Sequence, residues 1–196
     1  SLRLCTSAGE ALVGDLLERW RACYGVDILD GLGSTEMLHI FLSNRPGEVR
    51  PGVTGKPVPG YRVKLVDEQG QTIEGAEEVG ELWVEGPTQP ACYWNQRAKS
   101  QATFIGTWTR TGDKYLRDEE GHYRYAGRAD DMLKVGGIWV SPFEIEAALA
   151  AHPDVLEAAV IGWEDDEGLI KPKAFVVLTG ENAVDAAVLK AHCKQL

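Results

Sequence analysis

The chain has 196 residues, 44% hydrophobic and 26% charged, a size and balance that suit one large or two small globular domains. Its net charge of −10 argues against nucleic acid or an anionic membrane as the main partner, so any bound polyanion needs a local positive or backbone-amide site. No apolar run approaches the roughly 18–20 residues of a membrane span, and the opening residues carry no signal-peptide pattern.

Ser1-Leu2-Arg3 lacks an initiator Met and runs directly into a strand-like stretch, so the chain reads as beginning within a longer protein. Cys5, Cys23, Cys92 and Cys193 are widely spaced with no CxxC, which fits reduced thiols and a cytoplasmic protein better than a disulfide framework. His39, His122, His152 and His192 form no metal-ligand spacing.

In chain order, Leu2 to Thr6 is expected as a short buried strand, and Ser7-Ala8-Gly9-Glu10 as a Ser-x-x-Glu helix start. Leu12, Val13, Leu16, Leu17, Trp20 and Tyr24 recur at helical spacing, and Gly25 should stop that helix. Val26 to Leu29 is a second expected strand. Asp30-Gly31-Leu32-Gly33-Ser34-Thr35-Glu36 then reads as a Gly-rich loop opening a short helix. This β-α-β-loop-α order suits an α/β domain with its sites at the carboxyl ends of strands.

Residues 45–60 are rich in Pro and Gly and are expected as loop. The period then changes to alternation. Strands are expected at Tyr61–Leu65, Gly80–Glu85, Trp108–Tyr115 and His122–Tyr125, separated by Gly-containing turns, which suggests a small β-subdomain or barrel. Gly136-Gly137 between Met132–Val135 and Ile138–Val140 predicts a tight hairpin. Ser141-Pro142-Phe143-Glu144 predicts a capped helix carrying Phe143, Ile145, Ala148 and Leu149 inward. Strands at Leu156–Gly162 and Lys173–Leu178 flank an acidic loop, Glu164 to Gly168, and a helix is expected from Val184 to Leu196. The fold class is therefore α/β followed by α+β, the second unit being small.

Two loops could carry chemistry. The first fails as a dinucleotide fingerprint, because Glu36 stands where the third Gly belongs. Small residues and amides at a helix start could still approach a nucleotide, with Thr35 adding a hydroxyl and Glu36 a carboxylate suited to Mg²⁺. The plain alternative is that Thr35 caps the helix and Glu36 sits in its first turn. In the second loop, Thr109-Arg110-Thr111-Gly112-Asp113, a carboxylate fixed after a Gly turn could accept two hydrogen bonds from a ribose diol. The plain alternative there is a turn Asp.

Gly33-Ser34-Thr35-Glu36, Trp108 to Asp113 and Gly127-Arg128-Ala129-Asp130-Asp131, in this order, resemble the adenylate-forming enzymes: acyl- and aryl-CoA synthetases, luciferases and peptide-synthetase adenylation domains. The stretches Asp30 to Asn44 and Gly136 to Pro142 look most like benzoate-CoA ligases. The resemblance implies an AMP-forming acid-thiol ligase using ATP, Mg²⁺ and coenzyme A on a small aryl carboxylic acid. Residues 1–129 would be the end of the large domain, with 46–129 its β-subdomain. Residues 130–196 would be an incomplete small mobile domain hinged at Asp130.

The same resemblance places the site residues. Ser7, Ala8, Gly9 and Glu10 would line the adenine pocket, with Asp30 and Gly31 along the adenine and the start of the aryl pocket. Thr35 would contact the AMP phosphate and Glu36 would hold Mg²⁺. Asp113 and Arg128 would meet the ribose, and Tyr125 would lie close to the nucleotide. Lys134, Gly136 and Gly137 would serve the coenzyme A tunnel, and His39 and Ile40 would wall the acid pocket. The family's phosphate loop would precede Ser1 and its adenylation lysine would follow Leu196, so this chain is expected to form no adenylate alone. Other readings are a domain loading a carrier-protein thiol and a non-catalytic nucleotide-binding module. A homodimer is compatible with the pattern.

Overall fold

The computed structural model describes residues 2–165, 168–180 and 184–194. The chain forms two compact units, Ser1–Tyr125 and Ala126–Leu196. Among the described residues no helix is long and apolar enough to cross a membrane.

The first unit opens with β1 (Cys5–Ser7), α1 (Gly14–Tyr24) and β2 (Ile28–Gly33), the two strands parallel with Ser7 opposite Asp30. This is the expected β-α-β order, with shifted boundaries. Leu2 and Leu4, expected in a buried strand, are exposed. Ser7 is spent on the ladder with β2, so it caps nothing. The helix starts instead at Gly14 behind Val13, with no side-chain cap. It buries Leu17 while Leu16 and Tyr24 lie exposed, a narrower apolar face than the sequence suggests. Gly25 ends it in the left-handed conformation, its amide bonding the Arg21 carbonyl at 2.9 Å.

β2 is the main departure. The glycines expected in a loop lie inside it, and no helix follows. Residues 34–39 make a turn, with Met37 N–H on the Ser34 carbonyl at 3.2 Å and Leu38 at φ 67°. β3 (Ile40–Ser43) returns antiparallel to β2, and β4 (Lys56–Pro57) pairs with β3 inside the expected loop. Gly33 permits the return: a Cβ there would sit 2.7 Å from the His39 carbonyl oxygen.

The second sheet contains β5 (Arg62–Val66), β6 (Thr72–Ile73), β7 (Gly80–Glu85), β8 (Phe104–Ile105), β9 (Trp108–Arg117) and β10 (Tyr123–Arg128), in the order β10-β9-β7-β5-β6 with β8 beside β9. A short helix, α2 (Arg97–Thr103), precedes β8 and is absent from the sequence reading. Phe41 and Leu42 of the first sheet and Met37 of the turn pack with Leu65, Leu82, Val84, Tyr115 and Tyr123 in one core. The turn joining β2 to β3 is thereby anchored through Met37, which is fully buried.

In the second unit, β11 (Leu133–Val135) and β12 (Ile138–Val140) form the expected hairpin, with Gly136 and Gly137 at φ 57° and 87°. α3 (Pro142–Ala150) is capped as expected: Ser141 accepts a hydrogen bond from the Glu144 amide at 3.2 Å. β13 (Val155–Glu164) and β14 (Ile170–Leu178) pair antiparallel. α4 (Ala186–Cys193) is capped by Asp185. Leu149, Val155, Val160 and Leu189 form this unit's core. Positions 166–167 of the acidic loop and 195–196 of the last expected helix lie outside the described residues.

Candidate active site

The carboxyl end of β1 and the middle of β2 bring predicted adenine residues Ser7 and Asp30 together. Ser7 closes β1 opposite Asp30, and Ala8, Gly9 and Glu10 continue as exposed backbone beyond it. Asp30 is only 6% exposed, and its carbonyl accepts a hydrogen bond from the Asn44 amide at 2.9 Å. Burial pushes its pKa up to about 6, against the opposing hydrogen bonds of the Gly31 amide, the Thr54 side chain and the Leu12 amide. Its Oδ1 has no partner among the described residues.

The acid-side residues meet through a close contact. A Cβ on Gly31 would lie 3.0 Å from Ile40 Cγ2, so the Ile40 side chain occupies the space that Gly31 leaves. His39 precedes it, exposed, with Nδ1 2.5 Å from the Ile40 carbonyl oxygen and Nε2 3.0 Å from the Tyr61 hydroxyl.

Thr35 and Glu36 lie on the same turn, Thr35 exposed and Glu36 half-buried. With no helix here, the role of helix cap falls away for Thr35, as does a helix dipole acting on Glu36. Burial alone would raise the Glu36 pKa. The Tyr93 hydroxyl, its own amide, the Ser34 side chain and the Lys99 charge outweigh that and hold it below the usual glutamate value. Tyr93 donates to Glu36 Oε1 at 2.6 Å, across 57 positions of sequence. A single ionised, oriented carboxylate suits Mg²⁺, which commonly takes one or two carboxylates together with substrate phosphates. No cluster of three or more metal-ligating side chains occurs among the described residues. Tyr93 also borders a cleft of about 530 Å³ formed by the 91–104 segment.

Asp113 is not a turn residue. It lies inside β9 at an irregularity: Glu81 pairs with Lys114 and Trp83 with Arg110, so Leu82 faces Thr111, Gly112 and Asp113 together. Gly112 takes φ 75° to make this bulge. Thr111 stitches it, donating to the Leu82 carbonyl at 2.8 Å and accepting from the Asp113 amide at 3.1 Å. Arg110 braces the neighbouring register on Glu81 with contacts of 2.7, 3.0 and 3.2 Å.

Behind Asp113, Tyr115 is buried. Its phenol is pushed up by that burial, against the hydrogen bond it shares with Thr54, and further by the carboxylates of Asp113 and Asp30. Tyr125 stands edge-on to it at 5.4 Å. Asp30, Asp113 and Tyr125, predicted separately, thus share one polar neighbourhood.

In the second unit, Arg128 is paired with Asp130 at 3.3 Å, both exposed. Lys134 and Trp139 are opposite one another in the hairpin, the ammonium 5.3 Å from the ring centre, and Gly136 and Gly137 form the exposed tip. Sequence reasoning missed Tyr93, Thr54, Tyr61 and Thr88. Each acts through contacts distant in sequence that no local pattern signals.

Two family models match the sequence: AMP-binding enzyme over residues 1–94, and AMP-binding enzyme C-terminal domain over residues 144–196. A benzoate–CoA ligase of Thauera aromatica is 62% identical over 100% of this chain and 38% of its own length. A 4-hydroxybenzoate–CoA/benzoate–CoA ligase of Rhodopseudomonas palustris is 55% identical over 99% of the chain and 36% of its own length. Among solved structures, an anthranilate CoA ligase in complex with anthranoyl-AMP superposes with TM-score 0.92 at 52% identity, covering 99% of this chain and 38% of that one. A benzoate CoA ligase from Burkholderia xenovorans LB400 gives 0.91 at 55% identity, covering 99% and 39%. The chain therefore spans under two fifths of the length of these relatives.

Proposed function

Because the chain belongs to the AMP-binding enzyme family, we propose that it is part of an AMP-forming aryl-CoA ligase acting on benzoate or a substituted benzoate. The activity is that of the whole protein. A carboxylate oxygen of the acid attacks the α-phosphorus of ATP and pyrophosphate leaves, giving an acyl-adenylate. The sulfur of coenzyme A then attacks the acyl carbon and AMP leaves. Activation as a mixed anhydride makes AMP a good leaving group.

The observation that carries this reading is the 34–39 turn. Thr35 and Glu36 at its start and His39 at its end, next to Ile40, lie on one short segment, which supports reading the first two as phosphate-side groups and the last two as acid-side groups. That is where an acyl-phosphate bond would form. Thr35 donates to the α-phosphate. Glu36, oriented by Tyr93, would hold Mg²⁺. When bound, the ion neutralises phosphate charge. Ser7 to Glu10 and the backbone at Asp30 and Gly31 line the adenine. Asp113, presented by the bulge, takes the ribose hydroxyls with Arg128, and Tyr125 lies close to the nucleotide. Ile40, seated against Gly31, and His39 wall the acid pocket.

The two half-reactions need different surroundings, and Asp130 is proposed as the hinge between them. Gly136 and Gly137, with Lys134 beside them, serve the pantetheine arm, because a tip without side chains leaves room for it. The phosphate-loop motif of the family is not in these 196 residues, so the isolated chain is expected to make no adenylate.

ATP–pyrophosphate exchange and thioester formation by the whole protein test the reading. Benzoate and substituted benzoates are expected to support both, with octanoate much poorer. Activity confined to alkyl acids, or acyl transfer to a carrier protein and not to coenzyme A, would overturn it.

A further inference from the structure

His39 is exposed, yet both its ring nitrogens are tethered. Nδ1 lies 2.5 Å from the Ile40 carbonyl oxygen and Nε2 3.0 Å from the Tyr61 hydroxyl. A carbonyl only accepts, so Nδ1 carries a hydrogen. Thr88 gives its hydroxyl hydrogen to the Met37 carbonyl at 2.8 Å, and its oxygen lies 2.9 Å from the Tyr61 hydroxyl. Tyr61 thus faces two partners with one hydrogen.

With the hydrogen on Nδ1, Nε2 accepts and Tyr61 donates to it, so the ring is held at both nitrogens.

Tyr61 is itself fixed. It is buried, stands edge-on to His39 with ring centres 5.4 Å apart, and packs 6.4 Å from Phe41. A Cβ on Gly86 would fall 2.3 Å from its ring. The hydroxyl therefore has little freedom to move away from His39.

We infer that Tyr61 is a positioning residue that locks the His39 ring and so sets the room available to substituents on the acid's ring. This rests on reading His39 and Ile40 as walls of the acid pocket.

Tyr61→Phe in the whole protein tests it, since the variant keeps the ring against Gly86 and removes only the hydroxyl. The measurement is kcat/KM for 2-, 3- and 4-methylbenzoate, each relative to benzoate, with KM for ATP alongside. For whichever isomers His39→Ala comes to favour, Tyr61→Phe is expected to raise the ratio roughly 3- to 10-fold, the scale of one lost hydrogen bond, with KM for ATP unchanged. In a His39→Ala background Tyr61→Phe should add nothing further.

Ratios unmoved by Tyr61→Phe while His39→Ala shifts them would overturn the inference alone. Independent, additive effects would do the same, as would an equal loss toward all four acids accompanied by a lower Tm. If His39→Ala itself moves no ratio, the acid-wall reading fails and the inference with it.

Discussion

The Tyr93 hydroxyl donates to Glu36 Oε1 at 2.6 Å, joining the segment before α2 to the turn after β2. Tyr93 keeps Glu36 both ionised and aimed. Tyr93→Phe removes that hold, so the Glu36 pKa should rise toward its ordinary value. Losing an outer partner of a metal-binding carboxylate typically costs about 10- to 100-fold in metal affinity. The whole protein carrying Tyr93→Phe should need more Mg²⁺ for half-maximal ATP–pyrophosphate exchange, with KM for the acid unchanged. An unaltered Mg²⁺ dependence would remove Glu36 from the metal site.

Asp30 makes stability depend on pH. Its folded pKa, about 6, lies above the ordinary value of 3.8, so between those values the folded state binds more protons than the unfolded state. Stability is therefore full below about pH 4 as far as this group is concerned, falls as pH rises through 4 to 6, and stays low above. A two-unit shift corresponds to at most about 3 kcal/mol. Asp30→Asn should flatten that part of the profile and raise the urea midpoint at pH 7, read from unfolding curves at pH 4, 5, 6 and 7. A midpoint at pH 7 below that of the parent protein would mean that the charged form is compensated.

Gly33→Ala meets backbone rather than side chain. The new Cβ would lie 2.7 to 2.9 Å from His39 O, His39 C and Ile40 N, atoms that cannot rotate away. The expected cost is about 1–3 kcal/mol. Because the displaced atoms belong to the proposed acid wall, KM for benzoate should rise at least several-fold. Tm and steady-state kinetics of the whole protein check both effects.

Asp130→Pro locks φ near −65° and removes an amide hydrogen at the proposed hinge. One half-reaction should survive while overall coenzyme A ligation falls by about 100-fold or more, an arrest of the kind that a blocked conformational step produces. Adenylate formation and thioester formation, assayed separately, decide it. Equal loss of both, or of neither, counts against Asp130 as hinge.

Local chemistry was legible in the sequence wherever it was self-sufficient. The Gly136-Gly137 hairpin and the Ser141 cap form as read, since positive φ and an N-cap hydroxyl are settled within a few residues. Alternation located β5 and β7. The errors come from tertiary demands. Gly31 and Gly33 look like loop residues because glycine is a poor strand former, yet β2 needs them so that Ile40 and the His39 backbone can approach. Ser7 looks like a cap until the parallel ladder takes it. Asp113 looks like a turn until the β7 register shows three residues opposite one. α2, Arg-Ala-Lys-Ser-Gln-Ala-Thr, has neither an apolar stripe nor a side-chain cap to announce it. Of the candidate site, the motif residues could be nominated from the sequence and their structural partners could not: Tyr93 is 57 positions from Glu36, and Tyr61 is 22 from His39.

Met37 gives the turn after β2 a fulcrum. It stands between Thr35 and Glu36 on one arm and His39 and Ile40 on the other; its side chain is fully buried in the core and its carbonyl is tied to Thr88. A segment pinned at its midpoint cannot change length on one arm without tilting the other. Inserting or deleting a residue to reshape the proposed acid wall would therefore disturb the proposed phosphate side as well. Exchange of side chains at constant length is the route by which a segment with those two roles could diversify its acids while keeping its nucleotide chemistry.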